Sequence, residues 1–141
     1  MPSVPRRLQA RFYRDSAGEQ PVDEFIRRLP HRHQFALYRM IERIDCLDET
    51  NPLLAYPYSS QIEGELRELR CHYGKTHYRV LYRRSEQFVI LLHVFRKMTA
   101  AVPEGDKQLA RDRWLNFKQR MNEVPRVVPG PIGRATRVRP A

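Results

Sequence analysis

The sequence predicts an α+β domain: an N-terminal helical hairpin packed on a small antiparallel β-sheet meander, with a C-terminal helix. Three observations predict it. Apolar residues recur at helical spacing in two adjoining segments between Pro21 and Asp48. From Gly64 the period changes to alternation, and three strand-like segments follow one another with only short turns. Beyond Pro103 the helical spacing returns. The centre of the pattern is Phe88–Phe95, an apolar run broken only by His93 and rich in β-branched and aromatic residues. It is short enough to be a strand buried on both faces, and too short for a bilayer span, which needs about 20 apolar residues.

Each element follows from its residues. Arg11–Arg14 is predicted as a short first strand around Phe12 and Tyr13, with Ser16, Ala17 and Gly18 as a turn. Pro21 suits the first position of a helix. Val22, Phe25, Ile26 and Leu29 recur along that helix, with Asp23 and Glu24 in its first turn and Arg27 and Arg28 near its end, as the helix dipole favours. Pro30 closes it. A second helix is expected from His31 to about Asp48, with Leu37, Ile41 and Ile44 on its apolar stripe. Asn51, Pro52, Pro57, Ser59 and Ser60 read as loop. Glu65–His72 is predicted as a strand with Leu69 and Cys71 on one side and Glu68, Arg70 and His72 on the other. Tyr73–Lys75 turns the chain into Tyr78–Arg84, where Arg79 points away from Val80 by alternation. Ser85–Gln87 turns it again into the central strand. The last helix runs from Glu104 to about Asn122, with Ala110, Trp114, Phe117 and Met121 on one stripe.

At 141 residues the chain suits one domain plus tails. Residues 1–10 read as a flexible basic lead-in, 11–123 as the domain, and 124–141 as a disordered tail. That tail holds four prolines, two glycines, four arginines and no acid. Lys and Arg number 26 against 16 Asp and Glu, a net charge of +10. This excess points first to nucleic acid, then to an anionic membrane surface or an acidic protein. The N-terminal stretch has basic residues but no apolar core, so no secretory signal is expected, and no transmembrane segment either. Cys46 and Cys71 are far apart with no CxxC, and read as reduced packing thiols in a cytoplasmic protein.

Familiar catalytic signatures are missing: there is no P-loop, no dinucleotide fingerprint and no GxSxG. The histidine pairs lack cysteine or carboxylate company at metal-site spacing, so no metal is expected. What stands out is a group of cations on or next to the three paired strands: Arg67, Arg70, Arg79, Arg83, Arg96 and Lys97. Like charges that meet across a sheet repel. Such a group makes sense where an anion binds, or where each arginine snorkels to solvent with its stem over the core.

The segments EGELRELR, GKTHYRVLYRR and FVILLHVFRKMTAAVP, followed by a helix with Leu109, Ala110 and Arg113, resemble the RelE/HigB-like toxins of bacterial type II toxin–antitoxin systems. The similarity is greatest to the phage-derived HigB-like branch. The matching positions are Glu68-Leu69-Arg70, Tyr78-Arg79-Val80 with Tyr82, and Leu91-Leu92-His93 with Phe95, Lys97, Thr99 and Pro103. The resemblance covers about Arg11 to Met121. Two positions depart from the pattern: Val94 replaces a small residue, and Met98 replaces the second of two lysines.

The resemblance implies a RelE-like fold and an mRNA endoribonuclease acting mainly on translated messages in the ribosome. The reaction would be attack of a ribose 2′-OH on the adjacent phosphorus, which requires no metal or other cofactor. Arg70 and Arg79 would grip the phosphate, because guanidinium presents planar forks of donors to phosphate oxygens. Lys97 would stabilise the transition state or act as acid–base with its pKa lowered by neighbouring cations. His93, on the face of its strand that carries Lys97, either transfers a proton or is a structural histidine. Tyr82 either stacks on a base or packs the core. Arg67, Lys75, Arg83 and Arg96 would hold RNA phosphates. The implied partners are mRNA, ribosomal RNA and a cognate antitoxin, commonly a small helix-turn-helix protein. The alternatives are a non-catalytic RNA- or protein-binding module of a phage or mobile element, or an assembly protein of such an element.

Overall fold

The computed structural model describes residues 4–136. In chain order the elements are β1 (Gln9–Tyr13), α1 (Pro21–Arg27), α2 (His31–Asp45), β2 (Ser59–Glu63), β3 (Leu66–Tyr73), β4 (Thr76–Ser85), β5 (Phe88–Arg96), α3 (Glu104–Met121) and β6 (Ile132–Ala135). The strands form one six-stranded sheet in the order β2-β3-β4-β5-β1-β6. Val22 and Ile26 of α1 and Leu37, Ile41 and Ile44 of α2 close a core against one face. Ala110, Trp114 and Phe117 of α3 close a second core against the other. The sheet is thus the middle of three layers. None of the described helices is long and apolar enough to cross a membrane.

The meander β3–β4–β5 is antiparallel throughout, as the alternation and the short turns require. Gly74, at φ 57°, supplies the left-handed residue of the first hairpin. The rest of the sheet departs from the expected small antiparallel meander. β1 pairs with β5 in parallel, so the sheet is mixed and β5 lies inside it, not at an edge. Hence β5 is buried on both faces: Val89, Leu91 and Val94 enter the α1/α2 core, and Ile90 and Leu92 enter the α3 core. The chain opens on β1, close to the first strand expected at Arg11–Arg14, and the two helices α1 and α2 follow it and pack on the sheet.

Two short edge strands escape the periodicity argument. β2, sequence SSQIE, lies in the stretch read as loop through Ser60; its exposed Gln61 and Glu63 suit an edge. β6 lies inside the tail expected to be disordered. It pairs with β1 and is pinned by Arg134, which donates to the buried Asp23 at 2.6 and 3.1 Å. Arg120 reaches from α3 to the carbonyls of Arg14 and Pro129 at 2.6 and 2.8 Å, holding the segment that leads into it. The expected flexible lead-in also ends early, since Leu8 and Ala10 are fully buried. Residues 1–3 and 137–141, the outer parts of both expected tails, lie outside the described residues.

A bulge in β5 sets the phase of the site. Leu81 pairs with His93 while Tyr82 pairs with Leu91, which leaves Leu92 as the extra residue. Past the bulge, alternation restarts with His93 and Phe95 on the α3 face and Val94 on the other.

Candidate active site

The cations of β3 and β4 meet because their register is set by the hairpin. Arg70 lies directly across from Arg79. Their neighbours Leu69, Cys71, Tyr78 and Val80 all enter the α1/α2 core, so both arginines project from the α3 face. Phe95, the partner of Arg79 on β5, also lies on that face. Two residues on, Lys97 extends the pairing by donating its backbone N–H to the His77 carbonyl at 2.8 Å. Its ammonium titrates below its ordinary range, first because of burial, then because of Arg79; Glu68 works in the opposite sense and Arg70 adds to the lowering.

At the centre of these cations sits a carboxylate. Glu68, 4% exposed, accepts from Arg70 Nε at 3.1 Å and from Ser60 Oγ at 2.9 Å. Its other oxygen, Oε2, faces Arg79 Nε at 3.6 Å, too far for a hydrogen bond. Both atoms are buried and have no hydrogen-bond partner in the structure. Arg79 spends one nitrogen on the carbonyl of Tyr78, at 3.1 Å. The Glu68 charge offsets part of the repulsion among Arg70, Arg79 and Lys97, and a net positive charge remains. Such a group has the charge and the donor geometry to accept an anion.

Tyr56 completes the rim. It is 71% exposed, and its ring lies 5.0 Å from the Arg70 guanidinium carbon. Neither Glu68 nor Tyr56 is among the residues expected from the sequence to form the site. The signal for Glu68 is its alternation with Arg70 on one strand. For Tyr56 it is an aromatic residue beside a proline in a polar loop.

Other expected site residues go elsewhere. His93 does face the α3 side, but both ring nitrogens are engaged. Arg113 Nη1 donates to Nδ1 at 3.3 Å, and an arginine cannot accept, so Nε2 carries the proton and donates to Asp106 Oδ1 at 2.6 Å. Burial is the main reason its pKa is lowered; Asp106 opposes and Arg113 reinforces that shift. The neutral ring, stacked on Phe95 at 5.7 Å, docks α3 on β5. Tyr82 is 6% exposed and packs in the α1/α2 core with its hydroxyl 2.6 Å from Ser59 Oγ. Arg67 lies on the opposite face from Arg70, bonded to Ser59 and the Leu54 carbonyl. Arg83 is held by Glu65 at 3.0 Å and lies over Trp114. Arg96 pairs in register with Tyr78 and is exposed, away from the cluster. Lys75 is exposed in the β3–β4 turn. Only Arg70, Arg79 and Lys97 of the expected residues converge.

Residues 24–115 match the family described as phage derived protein Gp49-like (DUF891), a span running from α1 through the meander into α3. Two relatives, each named probable endoribonuclease HigB1 and drawn from two strains of Mycobacterium tuberculosis, are 31% identical over 117 residues. That overlap is 82% of this chain and 89% of theirs. The chain belongs to the phage-derived Gp49-like family, among its HigB-like toxins.

Proposed function

We propose that this protein is the toxin of a type II toxin–antitoxin pair, an endoribonuclease that cuts messenger RNA on the ribosome and so inhibits translation. The observation that carries the reading is the convergence of Arg70, Arg79 and Lys97 around the buried Glu68. Arg70 and Arg79 grip the non-bridging oxygens of the scissile phosphate, where negative charge grows as the pentavalent transition state forms. The ribose 2′-oxygen bonds to phosphorus and loses its proton to water, while the buried Glu68 holds Arg70 and Arg79 in place. The bond from phosphorus to the 5′-oxygen breaks, and that oxygen takes a proton from Lys97. The products are a 2′,3′-cyclic phosphate and a 5′-hydroxyl. A lowered lysine pKa makes the ammonium a better proton donor near neutral pH. A cognate antitoxin silences the toxin by covering this basic face.

One observation favours a second reading, a binding module that cuts nothing. The position of the second lysine in the HigB-like pattern is Met98, 78% exposed and uncharged. Induced expression with cleavage sites mapped on cellular messages separates the two. Growth arrest and new 5′-hydroxyl ends are expected from the parent, and neither from Lys97→Ala or Arg79→Ala chains that fold normally. A harmless parent that leaves messages intact establishes the binding module. Variants as toxic as the parent refute the roles given to Lys97 and Arg79.

A further inference from the structure

A second array of cations and aromatic rings begins at the rim of the cluster and continues onto α2. Arg32, Phe35, Arg39 and Arg43 follow one another at spacings of three or four residues and share the exposed face of that helix, while Leu37, Ile41 and Ile44 are buried on the other. Guanidinium groups lie over rings along its length. Arg70 stands 5.0 Å from the Tyr56 ring, Arg43 4.2 Å from Tyr58, and Arg39 5.7 Å from Phe35. Arg32 donates to the Tyr73 hydroxyl at 3.3 Å. Two open hollows of about 550 and 400 Å³ run beside the helix and share Ala36 and Arg39. Among the described residues, Glu42 is the one carboxylate that lines either.

We propose that this array is a binding track for single-stranded RNA, leading the strand from the scissile phosphate past Tyr56 and Tyr58 and along α2. The direction of the track rests on the nuclease reading; its existence as a binding surface does not. Exposed rings offer π-faces on which unpaired bases stack, and the arginines between them follow the phosphates, a combination suited to single strands of any sequence. A helix rise of ~1.5 Å per residue puts Arg43 about 16 Å from Arg32, the length of a few extended nucleotides. A partner helix would need a row of apolar anchors. On this stripe Phe35, 64% exposed, stands alone among charges.

The test uses the full-length chain carrying Lys97→Ala, so that RNA survives the measurement, and reads fluorescence anisotropy with single-stranded RNA probes of about four and about twelve nucleotides. The longer probe is expected to bind at least tenfold more tightly. Adding Arg39→Ala with Arg43→Ala, or Phe35→Ala, should shrink that advantage to twofold or less, with circular dichroism confirming the fold. Arg39→Lys with Arg43→Lys should retain part of it, because charge survives and stacking does not. Equal affinity for both probes overturns the proposal, as does a length advantage untouched by these changes. Duplex RNA binding as tightly as the single strand also overturns it. Variants that keep the length advantage but lose a co-purifying protein show a protein interface instead. Because the readout is binding, a chain that cuts nothing still tests the track, and a chain that cuts without any length advantage refutes the track alone.

Discussion

Replacing Glu68 with Gln separates a cluster built to receive an anion from one that is merely tolerated. The carboxylate is 4% exposed and lies between Arg70 at 3.1 Å and Arg79 at 3.6 Å, with Arg79 itself 8% exposed. Gln keeps the shape and can keep the hydrogen bond from Ser60, but the charge is lost and three cations face one another. Removing one partner of a buried ion pair costs about 3–5 kcal/mol. Arg70 is 31% exposed and stays partly hydrated, so a loss of about 2–3 kcal/mol is expected here. For a chain of this size that lowers the thermal midpoint by roughly 10 °C. Inorganic phosphate should then stabilise the variant more than the parent, because a bound anion supplies the missing charge and adds stability by mass action. Thermal unfolding followed by circular dichroism, in chloride and in phosphate at matched ionic strength, reads both effects. A midpoint within about 2 °C of the parent's, or an identical response to phosphate in both proteins, would refute the idea that Glu68 is the internal counter-ion of an anion site.

Two further outcomes follow from contacts away from the cluster. Burial depresses the His93 pKa below its usual 6.5 in the folded chain, against the pull of Asp106 and with the push of Arg113. The unfolded chain therefore binds more protons than the folded one below that pH, so stability present above pH 6.5 is lost as pH falls through the folded pKa. Urea midpoints measured from neutral to mildly acidic pH should fall less steeply for His93→Gln than for the parent, and parallel slopes would sink the assignment. Arg134→Ala removes two charge-assisted bonds to Asp23 and a guanidinium 4.8 Å from the Phe12 ring. It should cost about 1.5–3 kcal/mol and speed hydrogen exchange at Gly133 and Ala135. Unchanged protection there would show that β6 is held by its backbone pairing alone.

What the sequence discloses and what it hides divide along one physical line. Positions whose chemistry is decided by local period are legible: Leu69 and Cys71 against Arg70, Val80 against Arg79, and the stripe of Ala110, Trp114 and Phe117 all sit where alternation or helical spacing puts them. Positions decided by a distant partner are not. β6 is only four residues, Ile-Gly-Arg-Ala, too short to show a period, and its place is set by Asp23 and the β1 edge. His93 reads either as a proton carrier or as a structural histidine until Asp106 and Arg113, from a helix later in the chain, are seen to take both of its nitrogens. Tyr82 reads equally as a stacking ring or a core residue until Ser59, from a distant segment, is seen to hold its hydroxyl in the core. The bulge at Leu92 belongs to the same class. Strict alternation from Ile90 would send Lys97 to the α1/α2 side, away from Arg79. One extra residue in β5 reverses that phase, so Phe95 joins the α3 core and Lys97 falls among Arg70, Arg79 and Glu68. A strand that kept perfect register would leave the cluster without its lysine and turn Phe95 away from the α3 core.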